Sequence, residues 1–413
     1  PDTPAAVFIR PTLRFALDAA APAAALAPVF AQAEALLDDL PESVEALAET
    51  FAENEGFESR LRAVQAYLAR NVRQAGPAWS ALRRGALTPP GVTLAEGYGN
   101  RLDRVLLWLA LLRELDVEAR LAFACAEDDE ALARFGDALA LEEVPLWADW
   151  AQPYILLPDG RVLGDEGELD EPGASALSSR PLLTAEGPVA YVRPEALRSH
   201  TESVVRVVVE PDGDATLSRE DLSWGLAAGA VRKSDRDLTP ELRRRAVAAI
   251  AEGFAPGATP VSEYVCDTQA YPTRQTLAAE AKAYAQRRGR LLSIPVPTLL
   301  GQVYGLRGVS RENPIWQAGV ESARNTVAFW LPPGSEVVSK PEPFTRRLPG
   351  GGSYTLTCTT AVVPHSGWVR LTYVAECDLP PAILDAWQFP GLVEFDRLLT
   401  APTMRTLIIR LPE

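Results

Sequence analysis

Two kinds of hydrophobic spacing divide the chain, with helical periodicity before about residue 115 and strand-like alternation after about residue 195. Apolar residues recur at helical spacing in residues 26–37 and 61–72, which places one face of each segment against a core. Pro22 and Pro28 lie within the first Ala-rich stretch. Because proline interrupts helices, the sequence predicts several short helices there rather than one long helix.

Residues 102–115 predict a helix that is enclosed on all sides, because little polar face is left between the apolar positions. These positions are Leu102, Val105, Leu106, Leu107, Trp108, Leu109, Leu111, Leu112 and Leu115. A strand-like run, residues 117–125, follows. Further on, the tripeptide Pro158-Asp159-Gly160 predicts a turn between two short strands near Ile155 and Val162.

The second half of the chain is typical of β structure with one helix. Residues 204–209 lead into Pro211-Asp212-Gly213-Asp214, which predicts a hairpin. Thr239 is a good N-cap for a helix whose first residue is Pro240. From residue 320 onward, strand-like runs alternate with turns, and this spacing indicates antiparallel sheets of sandwich or barrel type. The sequence therefore predicts an α+β fold.

Composition limits the partners of this chain of 413 residues. The net charge is −15, so nucleic acid is an unfavourable partner for its surface. No run of about 18 uninterrupted apolar residues occurs, so no transmembrane segment is expected. The first four residues lack both a Met and a signal-peptide pattern, which predicts a processed form or an excised fragment.

Cysteine and histidine usage restricts the chemistry. The four cysteines are Cys125, Cys266, Cys358 and Cys377, without CxxC spacing. Cys125 is expected in a core, and a Cys358–Cys377 disulfide is a hypothesis because these residues occupy successive strand-like runs. Only His200 and His365 are available as imidazoles. Residues 165–171 are acidic but lack EF-hand spacing, so a solvated loop is favoured over a Ca²⁺ site, and no metal or cofactor is expected.

A short motif carries a family resemblance. The stretch Gly97-Tyr98-Gly99-Asn100-Arg101-Leu102-Asp103, followed by an apolar helix and a strand, resembles the core of the transglutaminase-like superfamily. That superfamily shares its nucleophile-on-helix plan with papain, and its helix opens with a Gly-Asp-Cys-x-Asp pattern. Arg101 stands at the position of the nucleophilic Cys, and Asp103 stands at the position of the second Asp.

The resemblance extends to two strands after the helix. In the family, a His follows an aromatic-Asn pair, and an Asp comes from the next strand. Gln152, two residues after Trp150, stands at the His position, and Asp165 stands at the Asp position. Arg cannot be deprotonated in proteins and Gln cannot exchange a proton near neutral pH, so the thiolate–imidazole chemistry of the family is absent at these positions.

Two interpretations of Arg101 stay open. In the first, an ion pair with Asp165 or Asp103 fills the former active site. In the second, Arg101 and Gln152 are fixed donors in a pocket for a carboxylate or an amide. A different catalytic pair, Cys125 with His200, is disfavoured because Cys125 lies inside a strand and His200 lies in a polar, linker-like stretch.

The resemblance implies an organisation and a function. Residues 1–190 are expected to form a degenerate transglutaminase-like domain, residues 195–320 a β-rich domain with one helix, and residues 321–413 an antiparallel β-sandwich region. Relatives of this bacterial kind are exported, which implies a periplasmic or cell-surface location. We expect a non-catalytic module that binds a protein or peptide. The alternative is an active hydrolase or acyl-transferase that uses non-standard residues. The oligomeric state is left open.

Overall fold

The structure of the protein is a computed structural model that divides the chain into two compact units. The N-terminal unit comprises residues 11–198 and 228–233, and the C-terminal unit comprises residues 1–10, 199–227 and 234–413. The residues that the structure describes are 22–77, 87–125, 151–164, 180–191, 199–236, 238–255, 257–268, 270–297, 303–304, 306, 310–317, 322–380 and 382–413.

The N-terminal unit combines helices with a five-stranded antiparallel sheet. Its helices are α1 (Pro22–Leu37), α2 (Glu42–Ala52), α3 (Phe57–Asn71), α4 (Pro90–Glu96) and α5 (Arg101–Glu114). Its strands are β1 (Arg73–Gln74), β2 (Tyr98–Gly99), β3 (Arg120–Cys125), β4 (Ala151–Leu156), β5 (Val162–Gly164), β6 (Arg180–Thr184) and β7 (Gly187–Tyr191). The sheet has the order β5-β4-β3-β6-β7, and β1 and β2 form a separate parallel pair.

Helix α5 is the centre of this unit. Every residue from Leu102 to Leu112 is buried, which confirms the prediction of an enclosed helix. The apolar faces of α1, α2 and α3 pack into the same core, together with one face of the sheet. Across this core, the rings of Phe30 and Phe123 meet edge to face, with centroids 5.4 Å apart.

The predicted helix break at Pro28 is wrong, because Pro28 lies inside α1 rather than at its boundary. Pro28 is exposed, whereas its neighbours Leu26, Val29 and Phe30 are buried. Burial of these three side chains offsets the hydrogen bond that the proline removes from the helix. Pro22 does mark a boundary, since α1 begins there.

The C-terminal unit is dominated by strands. Its strands are β8 (His200–Val209), β9 (Ala215–Trp224), β10 (Thr259–Pro260), β11 (Val265–Asp267), β12 (Thr273–Ala281), β13 (Gln286–Arg288), β14 (Leu291–Pro295), β15 (Ile315–Gln317), β16 (Ser322–Leu331), β17 (Glu336–Ser339), β18 (Phe344–Arg347), β19 (Ser353–Val362), β20 (Val369–Asp378), β21 (Ala382–Leu384) and β22 (Thr406–Arg410). Its helices are α7 (Pro240–Phe254), α8 (Phe389–Thr400) and α9 (Pro402–Arg405), and α6 (Gly225–Arg236) contributes residues to both units.

A nine-stranded sheet organises the C-terminal unit, in the order β10-β12-β9-β8-β16-β20-β19-β18, with β11 also paired to β12. All its pairs are antiparallel except β8 with β16, so the sheet is mixed rather than purely antiparallel. A second sheet, β13-β14-β22-β17, contributes to the same core. The α+β class is thereby confirmed. The predicted domain boundary near residue 320 separates β8 from β16, although these two strands pair in one sheet.

Several local predictions are confirmed. The Asp212-Gly213 turn joins β8 to β9, and the Asp159-Gly160 turn joins β4 to β5. The Thr239 hydroxyl accepts a hydrogen bond from the Leu242 amide at 3.3 Å, as expected of an N-cap. Among the helices that the structure describes, none is long and apolar enough to cross a membrane.

The disulfide hypothesis is wrong, since Cys358 and Cys377 are free thiols. They occupy neighbouring antiparallel strands, but Cys358 lies opposite Tyr373 and Cys377 lies opposite Tyr354. This offset of four positions corresponds to about 13 Å along the strands. A disulfide needs Cα atoms within about 7 Å of each other, so the register prevents the bond.

Candidate functional site

The N-terminus of α5 is held by a reciprocal cap between two side chains. The Asn100 side-chain oxygen accepts hydrogen bonds from the Leu102 amide at 2.8 Å and the Asp103 amide at 3.1 Å. In return, the Asp103 carboxylate accepts from the Asn100 amide at 3.0 Å. This capping box satisfies amides that a helix otherwise leaves without partners at its first turn.

Asp103 has a structural role beyond the cap. Its carboxylate also accepts a hydrogen bond from the Thr88 amide at 3.4 Å, and the residue is buried. A Cβ atom added at Gly99 would lie 2.9 Å from the Cβ of Asp103, so glycine is required for this close approach. The carboxylate is therefore used to fix the chain that leads into α5.

Arg101 is the first residue of α5, and its side chain lies against strand β4. Its Nε donates a hydrogen bond to the Pro153 carbonyl at 3.4 Å. Its guanidinium carbon lies 4.8 Å from the centroid of the Tyr154 ring, which is a cation–π contact. Arg101 is half-buried in this position. The Arg101 side chain is thus packed on β4, the second strand after α5.

Gln152 lies on β4 beside these contacts. Ile155 belongs to the core around α5, whereas Tyr154 packs with Ala122 and Ala124 on the other face of the sheet. Since Gln152 is two residues from Tyr154 and lies opposite Ala124, it shares that other face. Gln152 is half-buried.

Asp165 and Trp150 lie outside the residues that the structure describes, and only the strands next to them in sequence are located. Gly164, the residue before Asp165, pairs with Tyr154 across β5 and β4. Trp150 directly precedes β4. The structure therefore brings Arg101 to Pro153 and Tyr154, the two residues that follow Gln152 on β4.

An arginine-lined cleft lies in the same unit, and sequence reasoning did not find it. Its volume is about 760 Å³, and its walls come from the end of α3, from β1 and from the chain before α5. The polar residues that line it are Arg70, Asn71, Arg73, Gln74, Glu96, Tyr98 and Arg104. This group of residues is called the arginine cleft below. Three arginines against one glutamate make it positive within a protein of net charge −15.

The charged side chains of the arginine cleft differ in their exposure and in their bonding partners. A hydrogen bond from the Tyr98 hydroxyl to Glu96 raises the pKa of that phenol, so the one carboxylate already has a donor. Arg104 is buried and Arg70 and Arg73 are exposed. Within the part of the chain that the structure describes, Arg70 and Arg73 form no ion pair. Two exposed guanidinium groups therefore remain available to an anion.

A second polar cluster lies in the C-terminal unit, where His200 is part of β8 rather than of the expected linker. Its Nδ1 lies 2.6 Å from Ser322 Oγ, and its Nε2 lies 3.2 Å from Glu202 Oε1. The spacing of His200 and Glu202 by two residues was a signal of a shared strand face. Ser322, which is 122 residues away, left no such local signal.

Cys266 and Cys377 of the C-terminal unit are poor nucleophiles. Burial raises the pKa of the Cys377 thiol to about 11 and also raises the pKa of Cys266. Their thiolate populations at neutral pH are correspondingly small. The side chain of Cys125 is not among those described. Across the described residues, no group of three His, Cys, Asp or Glu side chains is arranged to hold a metal ion.

Comparison with known proteins identifies a shared fold and no family. No protein-family model and no curated protein matches the chain. A solved structure of a Parabacteroides distasonis protein, described as a "putative protease", matches with a TM-score of 0.52 and 12% sequence identity. The match covers 94% of this chain and 58% of that one. The chain thus spans little more than half the length of a protein whose fold it shares.

Proposed function

We propose that the N-terminal unit is a non-catalytic, transglutaminase-like module that binds acidic peptide or protein segments. The observation that carries this proposal is the placement of Arg101 at the first position of α5. A guanidinium on the Pro153 carbonyl and the Tyr154 ring takes the place of the nucleophilic thiol. Arg101 cannot attack an acyl carbon, which supports the non-catalytic part of the proposal rather than the family's chemistry.

The arginine cleft supports the choice of an acidic ligand. Its exposed Arg70 and Arg73 can form charge-assisted hydrogen bonds with carboxylates, and a cleft of about 760 Å³ accommodates several residues of a peptide. The net charge of −15 makes most of the surface repel such a ligand. Binding of an acidic segment is therefore expected to be local to this cleft.

The location of the protein is part of the same proposal. We infer a periplasmic or cell-surface location from the resemblance to exported transglutaminase-like proteins. Fractionation of cells that express the native gene, followed by immunodetection, tests this inference. Recovery in the cytoplasmic fraction alone would contradict it.

Fluorescence anisotropy of labelled peptides tests the binding proposal. The full chain is titrated against an alternating Glu-Ala decapeptide and a Lys-Ala decapeptide of equal length. We expect the acidic peptide to bind preferentially and its affinity to fall about 10-fold or more in the double variant Arg70→Glu/Arg73→Glu. Raising the salt concentration should weaken binding, because the contacts are largely exposed.

Arg244→Glu is the matched control, since Arg244 is an exposed arginine of α7 in the C-terminal unit. This variant should change the affinity less than about 2-fold. An equal loss in the control, or equal affinity for both peptides, would refute the binding proposal. The non-catalytic part is tested separately by ammonia release from glutamine-containing peptides. Release above background that disappears in Arg101→Ala would refute that part.

A further inference from the structure

The His200 cluster joins residues from two neighbouring strands. His200 begins β8, Ser322 begins β16, and these residues are register partners in the parallel pair of the nine-stranded sheet. Their side chains meet with Oγ 2.6 Å from Nδ1, while Glu202 Oε1 lies 3.2 Å from Nε2. The Trp224 ring packs against the imidazole at a tilt of 49°, with centroids 4.9 Å apart. The imidazole is thus contacted on both nitrogens and by one aromatic ring.

The two partners determine where the imidazole carries its proton. An ionised carboxylate only accepts hydrogen bonds, so the contact with Glu202 requires a hydrogen on Nε2. In the neutral ring, Nδ1 is then the acceptor, and the hydroxyl of Ser322 donates to it. Glu202 therefore holds the imidazole in the tautomer that can remove a proton from Ser322.

The cluster is open to solvent on the face that does not enter the core of the C-terminal unit. Along β8, Ser203, Val205 and Val207 are buried, whereas His200 and Glu202 lie on the alternate face. The side chains of His200 and Glu202 are 29% and 37% exposed. Ser322 is itself half-buried rather than buried, so this face gives a small acyl compound a route to its hydroxyl.

We propose that Ser322, His200 and Glu202 form a serine-nucleophile site that hydrolyses activated esters. Ser322 is the nucleophile, His200 is the general base, and Glu202 and Trp224 are positioning residues. Such triads are recognised by geometry and by role, not by the order of residues along the chain. This inference goes beyond the peptide-binding function of the N-terminal unit and does not depend on it.

The reaction is a two-step acyl transfer to water. Ser322 Oγ forms a bond to the carbonyl carbon of the ester while its proton passes to Nδ1 of His200. The C–O bond to the leaving group then breaks, and the departing oxygen takes that proton as an alcohol. Water next attacks the acyl-serine and loses a proton to Nδ1, which returns it to Ser322 Oγ as the carboxylic acid leaves.

Labelling with a fluorophosphonate probe tests the site in the full chain. The probe transfers its phosphonyl group to a nucleophilic serine and releases fluoride. We expect mass spectrometry to place the adduct on Ser322. Labelling should be absent in Ser322→Ala and slower by about 100-fold or more in His200→Gln, since a general base contributes at least that factor. Hydrolysis of p-nitrophenyl acetate should fall in parallel.

The chain contains an internal control for these experiments. His365 and Ser366 are adjacent in sequence and exposed, and the structure describes no hydrogen bond between their side chains. An adduct on Ser366, or none at all on a folded chain, would overturn the proposal. So would labelling of Ser322 that is equally fast in His200→Gln. Circular dichroism of each variant establishes that it is folded.

Discussion

The two units use their polar side chains in different ways. At the start of α5 in the N-terminal unit, Asn100, Arg101 and Asp103 all bond to backbone groups. At the start of β8 in the C-terminal unit, His200 contacts the side chains of Ser322 and Glu202. The side chains at α5 complete the hydrogen bonding of the backbone. In the His200 cluster, by contrast, the strands pair through their own backbone groups, and the side chains bond to other side chains.

This difference indicates which cluster is free to do chemistry. A side chain that satisfies buried amides cannot change its protonation or position without exposing those amides, which is unfavourable. A side chain on a half-exposed strand face that bonds to no buried amide can change its protonation or position without this cost. The family resemblance directs attention to Arg101, but the geometry assigns the reactive groups to the other unit.

The largest effect is expected from the core of the N-terminal unit. Leu106→Ala removes a fully buried side chain from α5, and we expect the free energy of unfolding to fall by about 2–5 kcal/mol. Urea denaturation monitored by circular dichroism measures this loss. Leu398→Ala, at a leucine that is 38% exposed in α8, is the control and should cost less than about 1 kcal/mol. Equal losses would show that α5 is not enclosed.

The next effect concerns the backbone role of Asp103. Asp103→Ala leaves the buried amide of Asn100 and the half-buried amide of Thr88 without their acceptor, and we expect a loss of about 1–3 kcal/mol in unfolding free energy. Asp39→Ala, at an exposed aspartate after α1, should change stability by less than about 0.5 kcal/mol. A neutral Asp103→Ala would place Asp103 among the functional rather than the structural residues.

Local spacing predicted many elements of both units but only part of the sites. The expectation of one helix in the second half is wrong, since α6 and α8 accompany the predicted helix α7. The apolar run at α5, the turn at Gly213 and the cap at Thr239 depend on neighbouring residues, and these predictions are confirmed. Alternation along a strand shows which residues share a face, but not which strand lies beside it. The parallel pairing of β8 with β16 joins distant segments, so Ser322 could not be assigned to His200 from sequence.

Arg101 should have a moderate effect on stability and little effect on binding. Arg101→Ala removes contacts that include the hydrogen bond to the Pro153 carbonyl and the cation–π contact with Tyr154, so we expect a loss of at least about 1 kcal/mol in unfolding free energy. The affinity for the acidic decapeptide should change less than about 2-fold, because the guanidinium lies on β4 and not in the arginine cleft. Loss of peptide affinity in this variant would restore the pocket interpretation of Arg101 and Gln152.

A smaller effect is expected from an ion cluster between α3 and the β4–β5 turn. Arg161 lies 2.6 Å from Glu58 and 2.7 Å from Asp159. Burial raises the pKa of Asp159, but the bonds and charge of Arg161 more than offset this, so the pKa lies below its ordinary value. Native-state stabilisation from Asp159 is therefore present above about pH 4 and is lost as the pH falls below it.

Asp159→Asn measures that stabilisation. The Asp159 side chain is 46% exposed, so we expect the variant to lose less than about 0.5 kcal/mol at pH 7. The difference from the unaltered protein should be smaller at pH 3 than at pH 7, because the unfolded chain takes up a proton at Asp159 before the folded chain does. Urea denaturation at the two pH values measures both differences. A gap that widens on acidification would mean that the pKa shift has the opposite sign.

The smallest effect on stability is expected at Glu202. A variant at this residue gives the clearest test of the difference between the two units. Glu202 bonds to an imidazole and not to the backbone, so Glu202→Gln should change the unfolding free energy by less than about 0.3 kcal/mol. The rate of fluorophosphonate labelling at Ser322 should nevertheless fall about 10-fold, because glutamine does not enforce the Nε2–H tautomer. Glu220→Gln, which breaks an exposed ion pair with Arg274 on a neighbouring strand, should leave labelling unchanged. If Glu202→Gln instead destabilises the protein as Asp103→Ala does and leaves labelling intact, both carboxylates are structural and the contrast between the units disappears.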